Sequence, residues 1–472
     1  MALRSWAAAF KECDIRGPYP EQVDEELAYR LGIAVATETA EAAGGCGQPV
    51  VVAGDVRLST PALQARVLEG LRHAGAMAFD CGILPTPGYY FARRYLGVEA
   101  GVMVTASHSP PGHNGFKPIL GRLPITPEEL GHLRRRAENP PPPRPGGAIH
   151  QRSVQGAYRD WLVAQGRQML LDKARRLAVV VDCGNGCFSG LACEVLAELG
   201  LHVIPLFCEP DGRFPNRSPD VSRPEALEAL GCAVRQAGAD LGVAFDGDGD
   251  RVAFADETGA VVGPDVFVPL LAADALRRFG PGPVVLDIKL SRAADEVVRH
   301  AGGTPLRERS GHTFMKTRVI CEGAVLGGEG SGHVFFRELE GGDDGLYAAM
   351  VMMRLMADTG RPLSALAASV PKYVLTRDIR VPFEGDARAF LERLANTVAG
   401  QARVERVDGV KAHYPDGWAL ARASVTEPAI TMRFEAETVE ALRSVIQRFL
   451  AAAPELLPPA LAAAEEAAER AN

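Results

Sequence analysis

A hydroxyl, an imidazole and an ammonium fall within eleven positions where Thr105-Ala106-Ser107-His108-Ser109-Pro110 runs on to Asn114-Gly115-Phe116-Lys117-Pro118. Far downstream, Asp246-Gly247-Asp248-Gly249-Asp250-Arg251 sets three carboxylates at alternate positions. Glycine between them lets the backbone turn tightly enough for all three to converge on one hard cation. Without a cation, carboxylates so crowded after an apolar run repel one another. The loop lacks the later ligands of a twelve-residue EF-hand, and Mg²⁺ suits it best, because Mg²⁺ keeps open positions for phosphate oxygens. A serine that carries phosphate and a metal that holds that phosphate make a phosphoryl-transfer site.

Ser107 shares its loop with Thr105 and Ser109, and either could replace it as nucleophile. His108 is a neighbour in sequence, for which a hydrogen bond within the loop is the plain alternative. Lys117 is a general acid/base if other cations or desolvation lower its pKa, and otherwise a phosphate contact. Arg251 offers an anion a planar two-pronged donor. In Gly328-Glu329-Gly330-Ser331-Gly332-His333, Glu329 and Ser331 suit sugar hydroxyls, and His333 caps the loop. Arg422-Ala423-Ser424-Val425-Thr426-Glu427-Pro428 puts a guanidinium and two hydroxyls on one turn, a phosphate-binding chemistry.

The elements behind these loops repeat. Val50-Val51-Val52-Ala53-Gly54-Asp55, Val179-Val180-Val181-Asp182 and Val284-Val285-Leu286-Asp287 are each a β-branched run ending in Asp before a helical pattern. Each is followed by a second apolar run that empties into a chemically loaded loop: 101–104 before Ser107, 241–245 before Asp246, and 324–327 before Glu329. The pattern predicts βαβ units with buried, mostly parallel strands and ligands at their C-terminal ends. Residues 138–149, with four consecutive prolines, read as a linker. The second boundary falls near 257–263. From about 372 the chain changes to an α+β pattern, with strands at 404–410, 418–423 and 429–434 and helices at 386–401 and 439–453. The Ala- and Glu-rich tail from 457 reads as a terminal helix that frays.

The 472 residues carry a net charge of −8, which gives nucleic acid or an anionic membrane no purchase. Nine scattered cysteines read as reduced cytosolic thiols, and no Cys/His spacing fits a tetrahedral zinc site. The first ten residues do not resemble a secretory signal, and no apolar stretch is long enough to span a bilayer. The expectation is a cytoplasmic protein. With only seven lysines among 51 basic side chains, a lysine in a motif, such as Lys117 or Lys289, stands out.

Thr-Ala-Ser-His-Ser-Pro, Asp-Gly-Asp-Gly-Asp-Arg, Gly-Glu-Gly-Ser-Gly-His and Arg-Ala-Ser-Val-Thr-Glu-Pro, in that order, resemble the α-D-phosphohexomutase superfamily, and within it the bacterial phosphomannomutase/phosphoglucomutase branch. Asp14-Ile15-Arg16-Gly17, Leu84-Pro85-Thr86-Pro87 and Asp343-Asp344-Gly345 add to the likeness, which covers nearly the whole chain. The resemblance implies an α/β fold: three homologous mixed α/β domains (1–152, 153–260, 261–370) and a C-terminal α+β domain (371–472) around a central cleft.

It also implies an active phosphoserine at Ser107, with Mg²⁺ on Asp246, Asp248, Asp250 and the serine's phosphate. Hexose 1-phosphate and hexose 6-phosphate of mannose or glucose would interconvert through a hexose 1,6-bisphosphate, which also serves as activator. His108, Lys117 and Arg251 would act at the transfer. Arg16, Lys289, His312, Glu329, Ser331, His333, Arg422, Ser424 and Thr426 would bind substrate. The expected partner is the phosphosugar alone, with the chain a monomer or weak dimer. Cys13 stands where the family has an aromatic, Gly54 where it often has Arg, Val425 where it commonly has Asn, and Glu427 where a small polar residue is usual. The rival activities on this fold are a phosphoglucosamine mutase and a sugar-phosphate phosphatase.

Overall fold

The computed structural model describes residues 6–45, 47–170, 176–424 and 429–471. Four sheets follow one another along the chain. In the first three, a central strand (Pro49–Gly54, Ala178–Asp182 or Pro283–Asp287) lies between two parallel neighbours. Val50 to Val52, Val179 to Val181 and Val284 to Leu286 have no solvent exposure, as expected of strands covered on both faces.

The sheets are mixed rather than mostly parallel. Ala100–Val104, Leu241–Phe245 and Leu326–Gly328 are each followed by an antiparallel return strand: His113–Ile119, Val252–Ala255 and Val334–Phe336. So few loop residues can only turn the chain back beside itself, whereas a parallel strand needs a long crossover. Each loaded loop is thereby the tip of a hairpin, with both ends anchored in a buried sheet.

Part of the expected linker is strand: Ala148–Gln151 extends the edge of the first sheet, parallel to Met77–Ile83. The second and third units share one core. Its axis is the helix Gly345–Thr359, buried at every position from Gly345 to Met356. A helix apolar all round has no solvent face and must lie between layers.

The fourth domain has a core of its own. Asp408-Gly409 breaks the expected 404–410 strand into a hairpin, Arg403–Glu405 against Val410–Tyr414, which is the turn chemistry that this dipeptide favours. The terminal helix Leu457–Ala471 packs instead of fraying, because Ala460, Ala464 and Ala467 form a buried stripe at helical spacing.

All described cysteines are free thiols. The fold nevertheless gathers the sulfurs of Cys183, Cys193 and Cys208 within 4.8 Å of one another, a grouping that sequence spacing did not reveal. Three thiols are one ligand short of a closed tetrahedral zinc site. Among the described residues, no helix is long and apolar enough to cross a membrane.

Candidate active site

The tips of the first two hairpins meet. Ser107 Oγ donates to Asp246 Oδ2 at 2.7 Å. Ser107 lies in the left-handed region at φ 49°, a strained conformation for a residue with a side chain. Its backbone is held from several sides. Its amide donates to Thr105 Oγ1 at 2.9 Å, and Arg57 donates to the carbonyls of Ser107 (2.8 Å), Ser109 (2.6 Å) and Pro110 (2.7 Å). A Cβ on Gly247 would stand 2.6 Å from the Ser107 carbonyl oxygen, so only glycine lets the loops approach this closely.

The three aspartates are fully buried, and their carboxylate oxygens lie within 4.8 Å of one another. Asp248 Oδ1 and Asp250 Oδ1 are buried with no hydrogen-bond partner. Converging carboxylates with orphaned oxygens fit a hard divalent cation, which takes oxygen ligands. Asp248 is further fixed from the first domain, where Thr86 donates to it through both backbone and side chain and Thr105 Oγ1 lies 3.2 Å away.

Of the two roles open to Lys117, fixed positive charge is the one its surroundings favour. Its ammonium bridges Asp248 Oδ2 (2.7 Å) and Asp250 Oδ2 (2.6 Å). Burial works against the charge, but the two carboxylates outweigh it and hold the amine above its ordinary value. The same crowding separates the aspartates. Burial and two like charges push Asp246 well up, whereas Asp248, although equally buried, is held well down by Lys117.

Three histidines line the site in different states. His108 Nδ1 lies 3.4 Å from Ser107 Oγ; burial, then Arg251 and Arg16, push the ring well below its usual value, so it is neutral. Burial likewise takes His312 down to about 3. His333 is raised despite burial, because Asp250 and Asp343 face it, and its Nδ1 lies 2.8 Å from Asp343. Far from merely capping its loop, His333 accepts a hydrogen bond at Nε2 from Arg251 Nε at 3.0 Å, tying the second hairpin tip to the third. Arg16 donates to Ser109 Oγ at 3.3 Å and pairs with Asp14.

On the third tip, Glu329 Oε2 and Ser331 Oγ are buried and unpartnered, and burial raises the Glu329 carboxyl. Lys289 Nζ pairs with Asp378 at 3.0 Å and feels the charge of Arg422, whose Nε lies 2.7 Å from Asp408. Arg422 therefore belongs to the Lys289 wall, formed by the third and fourth domains, rather than to the Ser107 cluster, and Ser424 follows it at the end of the same strand, its amide donating to the Ala429 carbonyl at 2.8 Å. Thr426, with Val425 and Glu427, lies outside the described residues.

Family models match nearly the full length: phosphoglucomutase/phosphomannomutase alpha/beta/alpha domain I over residues 7–141, domain II over 158–259, domain III over 263–373 and the C-terminal domain over 379–452. The chain belongs to the phosphoglucomutase/phosphomannomutase family. It falls in the bacterial branch of the α-D-phosphohexomutase superfamily, and as a member it is an enzyme that moves phosphate within its substrate. It is 36% identical to a phosphomannomutase/phosphoglucomutase of Pseudomonas aeruginosa over 96% of this chain and 97% of the relative. A phosphoglucomutase of Neisseria gonorrhoeae is 34% identical over 94% and 96%. A family protein of known structure from Burkholderia thailandensis superposes with TM-score 0.86 at 35% identity, covering 95% of this chain and 98% of its own.

Several residues of this mutase's site had no assigned role in the sequence. Arg57 stands three positions beyond Gly54, where the family often has arginine, and organises the Ser107 loop. Thr86 and Asp343 sat inside quoted motifs, but which partners they would meet depended on tertiary contact.

Proposed function

We propose that phosphorylated Ser107 carries the phosphoryl group in a mutase acting on mannose and glucose phosphates. The O6 hydroxyl of a hexose 1-phosphate attacks the phosphorus of phospho-Ser107, and the Oγ–P bond breaks. The resulting hexose 1,6-bisphosphate turns round, and Ser107 Oγ takes the phosphoryl group from O1. The proton returns to the freed O1, and hexose 6-phosphate leaves. The observation that carries this reading is the 2.7 Å contact between Ser107 Oγ and Asp246 within a buried, partly unpaired carboxylate triad.

Asp246, Asp248, Asp250 and an oxygen of the serine's phosphate would hold Mg²⁺, which when bound neutralises charge on the phosphoryl oxygens. Neutral His108 has the protonation state to accept the hydroxyl proton and return it. Lys117 adds fixed positive charge beside the transferred group, as does Arg251. Glu329 Oε2 and Ser331 Oγ, buried without partners, are the acceptor and donor for sugar hydroxyls, with His333 fixing Arg251 against them. Arg16 and His312 line the same wall. Lys289, Arg422, Ser424 and Thr426 grip the phosphate that is not reacting, so that its binding positions the reacting end. The enzyme acts in the cytoplasm as a monomer or weak dimer, on the phosphosugar alone.

Mutase assays with Mg²⁺ and activating bisphosphate, comparing mannose, glucose and glucosamine 1-phosphates, test this. Fast conversion of the first two supports it. A glucosamine preference, or phosphate release with no isomer, overturns it.

A further inference from the structure

Behind the loop that presents Lys289, the third and fourth domains line a half-open cavity of about 420 Å³ that shares no lining residue with the candidate active site. Arg292, Arg299, Arg307 and Arg318 face it from the third domain, and Arg403 and Lys411 from the fourth. Three carboxylates line it as well, each engaged: Asp295 by Arg307, Glu296 by the Tyr373 hydroxyl at 2.8 Å, and Glu405 by His413 at 3.0 Å. Beyond the lining, Arg292 pairs with Glu437 and Arg318 with Glu322, both at 3.1 Å, which leaves Arg403 and Lys411 without a carboxylate in the cavity among the described residues.

Donors remain unused. Tyr414, 6% exposed, has a buried hydroxyl with no hydrogen-bond partner, and Arg292 Nε makes no hydrogen bond, its facing carboxylate oxygen on Glu435 standing 3.8 Å away. Lys411, 2% exposed, lies 4.0 Å above the Trp418 ring and donates only to the Ile288 carbonyl, at 2.5 Å. Among the described residues no carboxylate is in ion-pair contact with it. Burial, then the Arg307 guanidinium, pushes its amine down to about 7. A buried cation without a counter-charge is costly, and an anion would relieve that cost.

We propose that this cavity binds a small phosphorylated polyanion, and that its occupancy sets the position of the Asp287–Ser291 loop. Guanidinium groups in number are the chemistry that recognises phosphate, and the volume suits a metabolite-sized ligand. The coupling is built into the same side chains. Arg307 donates to the carbonyls of Asp287 (2.6 Å), Leu290 (2.9 Å) and Ser291 (3.0 Å), and Lys411 holds that of Ile288 between them. An anion that draws on Arg307 and Lys411 changes the hold on this loop, and with it the placement of Lys289. This coupling rests on the reading of Lys289 as a phosphate ligand; the binding itself does not.

The probe is inorganic pyrophosphate, with Mg²⁺ in excess and the full-length chain saturated with glucose 1-phosphate, followed by tryptophan fluorescence, which Trp418 beneath Lys411 reports. The comparison is Arg299→Ala/Arg403→Ala, whose side chains are exposed and outside the active site. Binding should weaken about tenfold in the variant, while turnover without pyrophosphate stays unchanged. In the unmodified chain alone, pyrophosphate should shift the KM for hexose phosphate by roughly fivefold. Equal affinity in both proteins, or full competition with hexose phosphate instead of a reciprocal change that levels off near fivefold, would place the anion elsewhere and overturn the site. Binding lost in the variant without any KM shift in the parent would overturn the coupling. The binding arm reads the site whether or not the chain turns over.

Discussion

Ser107 donates its hydroxyl hydrogen to Asp246 across the boundary between the first two sheets, at 2.7 Å. Residues 139 apart in sequence are thereby joined at the centre of the site. One loop supplies the oxygen that would carry phosphate, and the other supplies the carboxylates that would hold the metal against it.

Ser107→Ala should lower mutase turnover by roughly 10³-fold or more, the scale seen when a covalent nucleophile is removed. The melting temperature should move little, because the strained loop is held through backbone carbonyls by Arg57. Retained turnover in this variant would shift the nucleophile to Ser109 or Thr105.

Asp248→Asn should abolish most of the Mg²⁺ dependence together with the rate. Thr86→Val is the subtler change, since Thr86 touches Asp248 rather than the substrate. Loss of such an outer partner typically weakens a metal site about 10- to 100-fold, so the Mg²⁺ titration should shift while saturating Mg²⁺ recovers most of kcat. An unmoved titration in both variants would remove the metal from this loop.

Arg422→Ala should act on KM more than on kcat, by about 2 kcal/mol for the loss of one charged phosphate contact. Steady-state kinetics separate the two constants. An unaltered KM would detach the fourth domain from substrate binding.

Asp378 gives a pH-dependent signature in stability. Burial opposes its charge, but Lys289 and Arg433 hold its carboxyl down to about 2, against 3.8 for the unperturbed group. A depressed folded-state value means stabilisation fully present above about pH 4 and lost as the pH falls toward 2. The shift corresponds to about 2 kcal/mol at neutral pH. Asp378→Asn should therefore unfold more easily than the parent at pH 6, with the gap narrowing by pH 3. Thermal melts of the pair at both pH values check this, and a gap independent of pH would deny the ion pair its role.

Much of the site was legible because it lies in local loops. Alternating Asp and Gly specify their own turn, and apolar runs ending at such loops place them at strand ends. Arg57 was invisible by the same logic. It lies 50 residues from Ser107, and only the meeting of two strand ends brings it to the Ser107 carbonyl. Between the two roles open to Lys117 the sequence could not choose, because pKa depends on what faces the amine, and two carboxylates from another domain do. In the fold, the mixed sheets followed from hairpin returns that apolar patterning cannot orient. The tail packed because its alanines fall on one face, a periodicity that its Ala-rich composition obscured.

Transfer through Ser107 is tested by incubating the enzyme with Mg²⁺ and phosphate-labelled glucose 1,6-bisphosphate, then locating the label by peptide mapping. One phosphoryl group should appear, on Ser107, and chase into hexose phosphate when unlabelled substrate is added. Label on Ser109 or Thr105, or label released as inorganic phosphate with none carried by the chain, would contradict transfer through Ser107.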